Sequence, residues 1–224
     1  MTVQINYKNS ILKSKSANLI LFVDEKFSIS GLKKYISNSE FSYISDLLKT
    51  SDLKKDILFF EINSKKTIFL MSIKKDLKTS DIESLGAKFH GYINYDKKSD
   101  YLVNSDTVNS KIENFVGHFL HGLKLKSYEF NIYKSKKEKR IILVNVIGNK
   151  NKISPKNQLR FRALEEGTFF TRDLVSEPGN ILHPDEYAKR INSLKKFGLK
   201  INIYDEKKLK KLGMNSLLGV GQGS

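Results

Sequence analysis

The chain has 224 residues, with 40 Lys and Arg against 24 Asp and Glu, a formal net charge of +16 and no Cys. That length allows one large domain or one domain with part of another, and the missing Cys excludes a disulfide scaffold and any thiolate metal site, leaving His, Asp and Glu as ligand types. The opening MTVQINYKNS lacks the basic flank and apolar stretch of a secretion signal, and no apolar run nears the roughly 18 residues that span a bilayer, so a soluble cytoplasmic protein without a membrane partner is expected.

Residues 3–7 (VQINY) and 17–23 (ANLILFV) read as strands, the second an unbroken apolar run suited to burial on both faces of a sheet. From Gly31 to Leu53 the apolar residues fall at helical spacing with an interruption, which suits two short helices or one irregular one. Asp56–Ile62 and Thr67–Ile73 are β-rich runs joined by the turn-prone Asn63-Ser64-Lys65-Lys66, a hairpin signal. Ser80 or Asp81 then opens a helix that places Ile82, Leu85, Phe89 and Ile93 on one face.

Tyr101–Val103 is a short strand, and Thr107 to about Leu123 reads as a helix carrying Val108, Ile112, Val116 and Leu120. Phe130–Tyr133 and Ile141–Ile147 read as strands on either side of the basic turn Lys134–Arg140. Strands alternating with helices over residues 1–147 predict a layered α/β domain with a mixed sheet and flanking helices, since some connections are too short for crossover helices.

The polar, Gly- and Pro-containing stretch 148–157 reads as a linker. Beyond it, residues 158–176 form a helical pattern with Leu159, Ala163, Leu164, Gly167, Phe170 and Leu174 on one stripe, stopped by Glu177-Pro178-Gly179-Asn180. Pro184-Asp185-Glu186 starts another helix, Lys200–Tyr204 reads as a strand, and Glu206–Leu212 as a short helix ending at Gly213. The final LLGVGQGS reads as a strand entering a glycine-rich turn with nothing after it, so 158–224 is expected to be an incomplete domain.

Several groupings of residues bear on possible chemistry. The His residues are 90, 118, 121 and 183; His118 and His121 lie three apart on a predicted helix, with Glu113 five before the first, so a zinc or two-metal site can be drawn there. The spacing is not HExxH, and a satisfied pair of rings on a half-buried helix is the favoured reading. No GxSxG elbow is present, and Gly219-Val220-Gly221-Gln222-Gly223-Ser224 matches neither phosphate-cradling glycine pattern, which leaves it a tight turn. The positive charge is nearly all Lys, with Arg only at 140, 160, 162, 172 and 190, and the run Lys134–Arg140 has no interleaved aromatic to stack on bases. Weak, non-specific nucleic-acid contact is the most that this composition implies. A free-standing nucleic-acid- or nucleotide-binding module without peptidase activity is the alternative reading of the chain.

Two strings then carry a specific resemblance. Thr171-Arg172-Asp173-Leu174-Val175-Ser176-Glu177-Pro178-Gly179-Asn180-Ile181-Leu182-His183-Pro184 and Gly213-Met214-Asn215-Ser216-Leu217-Leu218-Gly219-Val220-Gly221-Gln222-Gly223-Ser224, in this order and spacing, resemble the leucyl aminopeptidase family, also called the cytosol aminopeptidase or M17 family. The segment Gly122–Lys134 carries a weaker similarity, and Ser176 stands where the family commonly has Asn. The resemblance implies a macro-like N-terminal α/β domain over 1–147, a linker over 148–157 and the truncated start of an α/β catalytic domain over 158–224. It also implies a metallopeptidase that removes N-terminal residues from peptide substrates with two divalent ions, Mn or Zn, in a homo-hexamer. The family's metal ligands and catalytic groups follow the VGQGS turn, so no residue of this chain is assigned a catalytic, cofactor-binding or metal-ligating role, and the 224 residues alone are expected to be inactive.

Overall fold

The run Asn18–Asp24 (β2) is the centre of the molecule. Its alternate side chains are all buried: Ile20 and Phe22 enter one apolar cluster, and Leu19, Leu21 and Val23 enter another. A strand covered on both faces needs apolar residues at every position, which explains the unbroken sequence pattern. In this computed structural model, residues 2–7, 18–95, 99–135 and 140–222 are described.

Six strands form one sheet: β1 (Thr2–Tyr7), β2, β3 (Ile57–Asn63), β4 (Lys66–Ile73), β5 (Asp100–Asn104) and β6 (Ile141–Ile147), in the spatial order β1-β6-β5-β2-β4-β3. All neighbours are parallel except the β3–β4 hairpin, whose link of Ser64 and Lys65 is too short for anything else. The mixed sheet expected from the sequence is therefore present.

One face is covered by α2 (Thr79–Tyr95) and α3 (Phe115–Lys126), which bring Ile82, Leu85, Phe89 and Ile93, and Phe115, Val116, Phe119, Leu120 and Leu123, onto the strands. Phe22 meets Phe115 and Phe119 edge-on, with centroids 5.4 and 5.3 Å away, a geometry that adds to simple area burial. The two helices cross closely because Gly86 and Gly122 lie at the crossing. A Cβ on Gly86 would run into the Phe119 carbonyl, and one on Gly122 into the Glu83 carbonyl. The other face is covered by α1 (Asn38–Leu48) and the segment before it, through Phe27, Ile29, Leu32, Ile36 and Ile44. Ser37 and Glu40 form a reciprocal capping box at the start of α1.

Two strand and helix expectations in this part are corrected. The helix expected from Thr107 begins only at Phe115. Thr107 Oγ1 is held between the Asn104 carbonyl (2.8 Å) and the Phe22 N–H (2.9 Å), and Asn114 has φ of 56°, which ends any earlier turn. Phe130–Tyr133 is a turn rather than a strand, with its two rings edge-on at 5.8 Å. Of the basic turn Lys134–Arg140, residues 136–139 lie outside the described residues.

The chain divides into two compact units, residues 1–168 and 169–224. The stretch after β6 is fastened to the first of them: Asp106 accepts from the N–H groups of Asn149 (2.7 Å) and Lys150 (2.5 Å), Asn151 donates to the Ser105 and Val108 carbonyls, and Ile153 joins the core. Helix α4 (Pro155–Ser176) starts three residues earlier than expected, and its inward face differs too. Phe161 is buried, packed against Gly117 and the rings of His118 and His121, whereas Leu159 and Leu164 of the expected stripe are exposed.

The second unit holds the end of α4, then α5 (Pro184–Asn192), α6 (Glu206–Lys211) and α7 (Asn215–Gly221). Arg190 ties it locally, donating to Glu177 (2.9 Å) and Glu186 (3.1 Å). Lys200–Tyr204 is not a strand, and residues 215–221 are helical rather than a strand running into a turn. The reason is pairing: a lone strand leaves its N–H and C=O groups without partners, whereas a helix satisfies them internally, as Leu218 N–H does on Met214 O at 3.2 Å. Gly223 and Ser224 lie outside the described residues.

Candidate functional site

His118 and His121 do come together, but Glu83 on α2 joins them, not Glu113. Both Nδ1 atoms lie against one oxygen, Glu83 Oε1, at 3.1 and 3.2 Å. Glu113 is engaged by Asn114 instead. Burial acts to raise the Glu83 carboxyl, but the hydrogen bonds and charge of the two rings outweigh it and hold the group below its usual range. Phe161 closes over both rings, at 5.1 and 5.6 Å between centroids. Among the described residues no three or more His, Asp or Glu side chains form a group able to hold a metal ion. The arrangement is a half-buried polar tie between α2 and α3, covered by Phe161 of α4, in which His121 Nε2 finds no hydrogen-bond partner among the described residues, so the pair of rings is not fully satisfied.

The remaining His residues are dispersed. His90 is buried on α2, where burial, with Lys126 nearby, pushes its imidazole below the ordinary range. His183 precedes α5 as its N-cap, without a capping side-chain bond. A second buried polar group joins the first strand to α3 and α4. The Lys124 ammonium donates to the Val3 carbonyl, and burial lowers its pKa against the pull of Glu165. Burial drives Glu165 up to about 7 despite the attraction of Lys124, and burial with Glu165 drives Tyr7 up to about 12.

The feature that the sequence did not show is a cavity of about 810 Å³ at the carboxyl ends of the central strands. Its floor is Phe22 and Val23 of β2 and Ile73 of β4; Thr107, just past β5, closes one side. The chain leaves β2 for β3 and β4 on one side, and leaves β5 for β6 on the other. The cavity thus lies at the reversal point of an open parallel sheet, where diverging connections leave room. Asp24, at the end of β2, accepts from the N–H groups of Lys26 (3.0 Å) and Ser28 (2.9 Å) and so fixes the next loop. Asp106 does the same for Asn149 and Lys150. The only sequence signal for this place was that both strand ends are followed by polar turns.

The sheet order and helix layers define an α/β domain of the kind found in leucine aminopeptidases. A mutant tomato leucine aminopeptidase matches with a TM-score of 0.70 at 18% identity, over 95% of this chain and 46% of that one. A bottromycin maturation enzyme solved in complex with Mn matches with a TM-score of 0.61 at 12% identity, over 88% of this chain and 40% of that one. At such identities these matches show the fold. The sequence goes further: residues 169–224 match the cytosol aminopeptidase family, catalytic domain. A probable cytosol aminopeptidase of Dinoroseobacter shibae is 40% identical over 109 residues, which is 49% of this chain and 22% of that relative. Over these residues the chain is similar to the cytosol aminopeptidase, or M17, family, and it spans about a fifth of the length of that relative. No helix among the described residues is long and apolar enough to cross a membrane.

Proposed function

We propose that these 224 residues are the N-terminal portion of a metal-dependent leucyl aminopeptidase, an enzyme that removes N-terminal amino acids from peptides. The observation that carries this reading is the placement of the catalytic-domain match at residues 169–224, behind a separate sheet unit. In this reading, 1–147 is the non-catalytic macro-like domain, 148–157 connects, and 158–224 opens the catalytic domain. The two Mn or Zn ions, which would polarise the scissile carbonyl and activate water, belong with the family's metal ligands, which the resemblance places after the Gly219–Ser224 string. No step of the hydrolysis is assigned to this chain. A cytoplasmic homo-hexamer is the expected setting of the longer protein.

The test is direct. The purified 224-residue chain is incubated with leucine p-nitroanilide and added Mn or Zn, and no turnover above background is expected. Metal-dependent hydrolysis that disappears on chelation would place an active site inside this chain and overturn the proposal.

A further inference from the structure

We propose that the outer edge of β3 is a self-association surface, on which a second copy of this chain adds its own β3 antiparallel about a two-fold axis at Phe59. Strand β3 ends the sheet order, so it pairs with β4 on one side only. The Ser72 N–H donates to the Asp56 carbonyl at 2.9 Å, and along an antiparallel pair every second residue is bonded to its neighbour. Asp56, Leu58 and Phe60 therefore direct their N–H and C=O groups to β4, while those of Ile57, Phe59 and Glu61 point away from the sheet. Thr67, opposite Glu61, agrees with this register, since its N–H turns the other way, to Asn18 Oδ1 at 3.0 Å. The other edge strand, β1, differs: its Val3 carbonyl already accepts from the Lys124 ammonium.

The side chains of Ile57 and Phe59 lie on the α2 face of the sheet. Ile57 is buried there, but Phe59 keeps 49% of its surface exposed. Tyr92 of α2, itself 37% exposed, stands edge-on to it at 5.6 Å, and the buried Phe69 ring lies 6.0 Å away. An edge with free backbone groups and an exposed aromatic at its middle is a template for another strand, and proteins that prevent such pairing place Lys or Pro there. This Lys-rich chain has neither in Ile57–Asn63 (ILFFEIN). Symmetry then selects the occupant. In a pair centred on Phe59, that residue faces its own copy and Ile57 faces the second copy's Glu61, so all three outward residues exchange bonds. The two Phe59 rings become a cross-strand aromatic pair beside both Tyr92 rings, and each Glu61 comes diagonally opposite the second copy's Lys55, an opposite charge. A two-fold contact of this kind makes one patch its own complement and closes at two copies. The paired edge is small beside the roughly 1,200–2,000 Å² of stable complexes, which makes the dimer a micromolar one. Each copy carries a charge of +16, so repulsion opposes the dimer at low salt and screening relieves it.

The experiment is sedimentation equilibrium of the full 224-residue chain from micromolar to millimolar concentration, joined to hydrogen exchange at both ends of that range. A monomer–dimer equilibrium is expected, tighter at physiological than at low salt, with exchange slowed by concentration at the amides of Ile57, Phe59 and Glu61. Phe59→Lys should weaken the dimer about a hundredfold, because the central rings are lost and two ammonium groups meet in their place. Glu61→Pro keeps the ring and the bonds to β4 but removes an outward N–H from each copy, and should weaken the dimer about tenfold. The chain has no Cys, so Phe59→Cys carries a single thiol; under mild oxidation it should cross-link faster than Tyr43→Cys, a position on α1 of similar exposure at 47%. A chain that stays monomeric, β3 amides indifferent to concentration, or equal cross-linking at the two positions overturns the proposal. So does a dimer undiminished in Phe59→Lys, which would assign association to another surface, such as the exposed apolar residues of 169–224. None of these results bears on the aminopeptidase reading, which the hydrolysis assay tests separately.

Discussion

Residues 1–168 and 169–224 have similar shares of Leu, Ile, Phe and Val in their patterns, yet they bury them very differently. The first unit places two apolar clusters against opposite faces of its sheet. Among the described residues of the second, Leu174 is the one buried hydrophobic, while Val175, Phe197, Leu199, Leu217 and Val220 are exposed. The difference teaches that amphipathic helices are not a core. A helix stabilises a domain only when a second layer receives its apolar face, and the sheet of the first unit is that layer.

The sharpest way to break this contrast is to substitute one residue in each unit. Gly122→Leu forces a side chain into the Glu83 backbone at the α2–α3 crossing and should cost about 3 kcal/mol, because both helices must separate and reopen a packed core. Leu217→Ser, in the second unit, should change stability by no more than about 0.5 kcal/mol, since its side chain is already exposed. Chemical denaturation followed by circular dichroism checks both. A mild effect at Gly122, or a large one at Leu217, would erase the distinction.

A smaller effect sharpens the account of the first unit. Glu165 titrates at about 7 in the folded chain against the ordinary 4.5. Between those values the unfolded carboxyl has lost its proton while the folded one keeps it, so stability should fall as pH rises through that window. Because the side chain is only half-buried and solvent screens part of the effect, the loss should be about 1–2 kcal/mol. Glu165→Gln should flatten the pH profile between 5 and 8 and leave the variant the more stable at the upper end. A profile that keeps its slope in the variant would assign it to another group.

Much of the first unit was legible in the sequence. The unbroken run at 18–24 announced a strand buried on both faces, and Ile82, Leu85, Phe89 and Ile93 announced the inner face of α2; both are local patterns with one dominant period. The misreadings have local causes as well. Val108 and Ile112 fit the helical spacing before α3, but Thr107 and Asn114 hold that segment in loop form through bonds that periodicity does not reveal. Lys200–Tyr204 and Leu217–Val220 have strand composition, but a strand also needs a neighbour. The His118–His121 pair was visible as a pair, whereas its partner Glu83 was not, since it lies 35 residues away on another helix. The glycines at 86 and 122 were the available hint: each costs about 1 kcal/mol of helix propensity, a cost that close packing offsets. The carboxyl-edge cavity arises from strand order, which no local pattern encodes.

The central claim is that the sheet unit is self-sufficient while residues 169–224 lack a core of their own, and hydrogen–deuterium exchange of the full chain as a monomer tests it most directly. Amides of β2, β4 and α3 should open only by global unfolding and exchange slowest, and those of residues 177–222 should exchange by local opening, orders of magnitude sooner. Protection of 177–222 equal to that of the central strands would contradict the account.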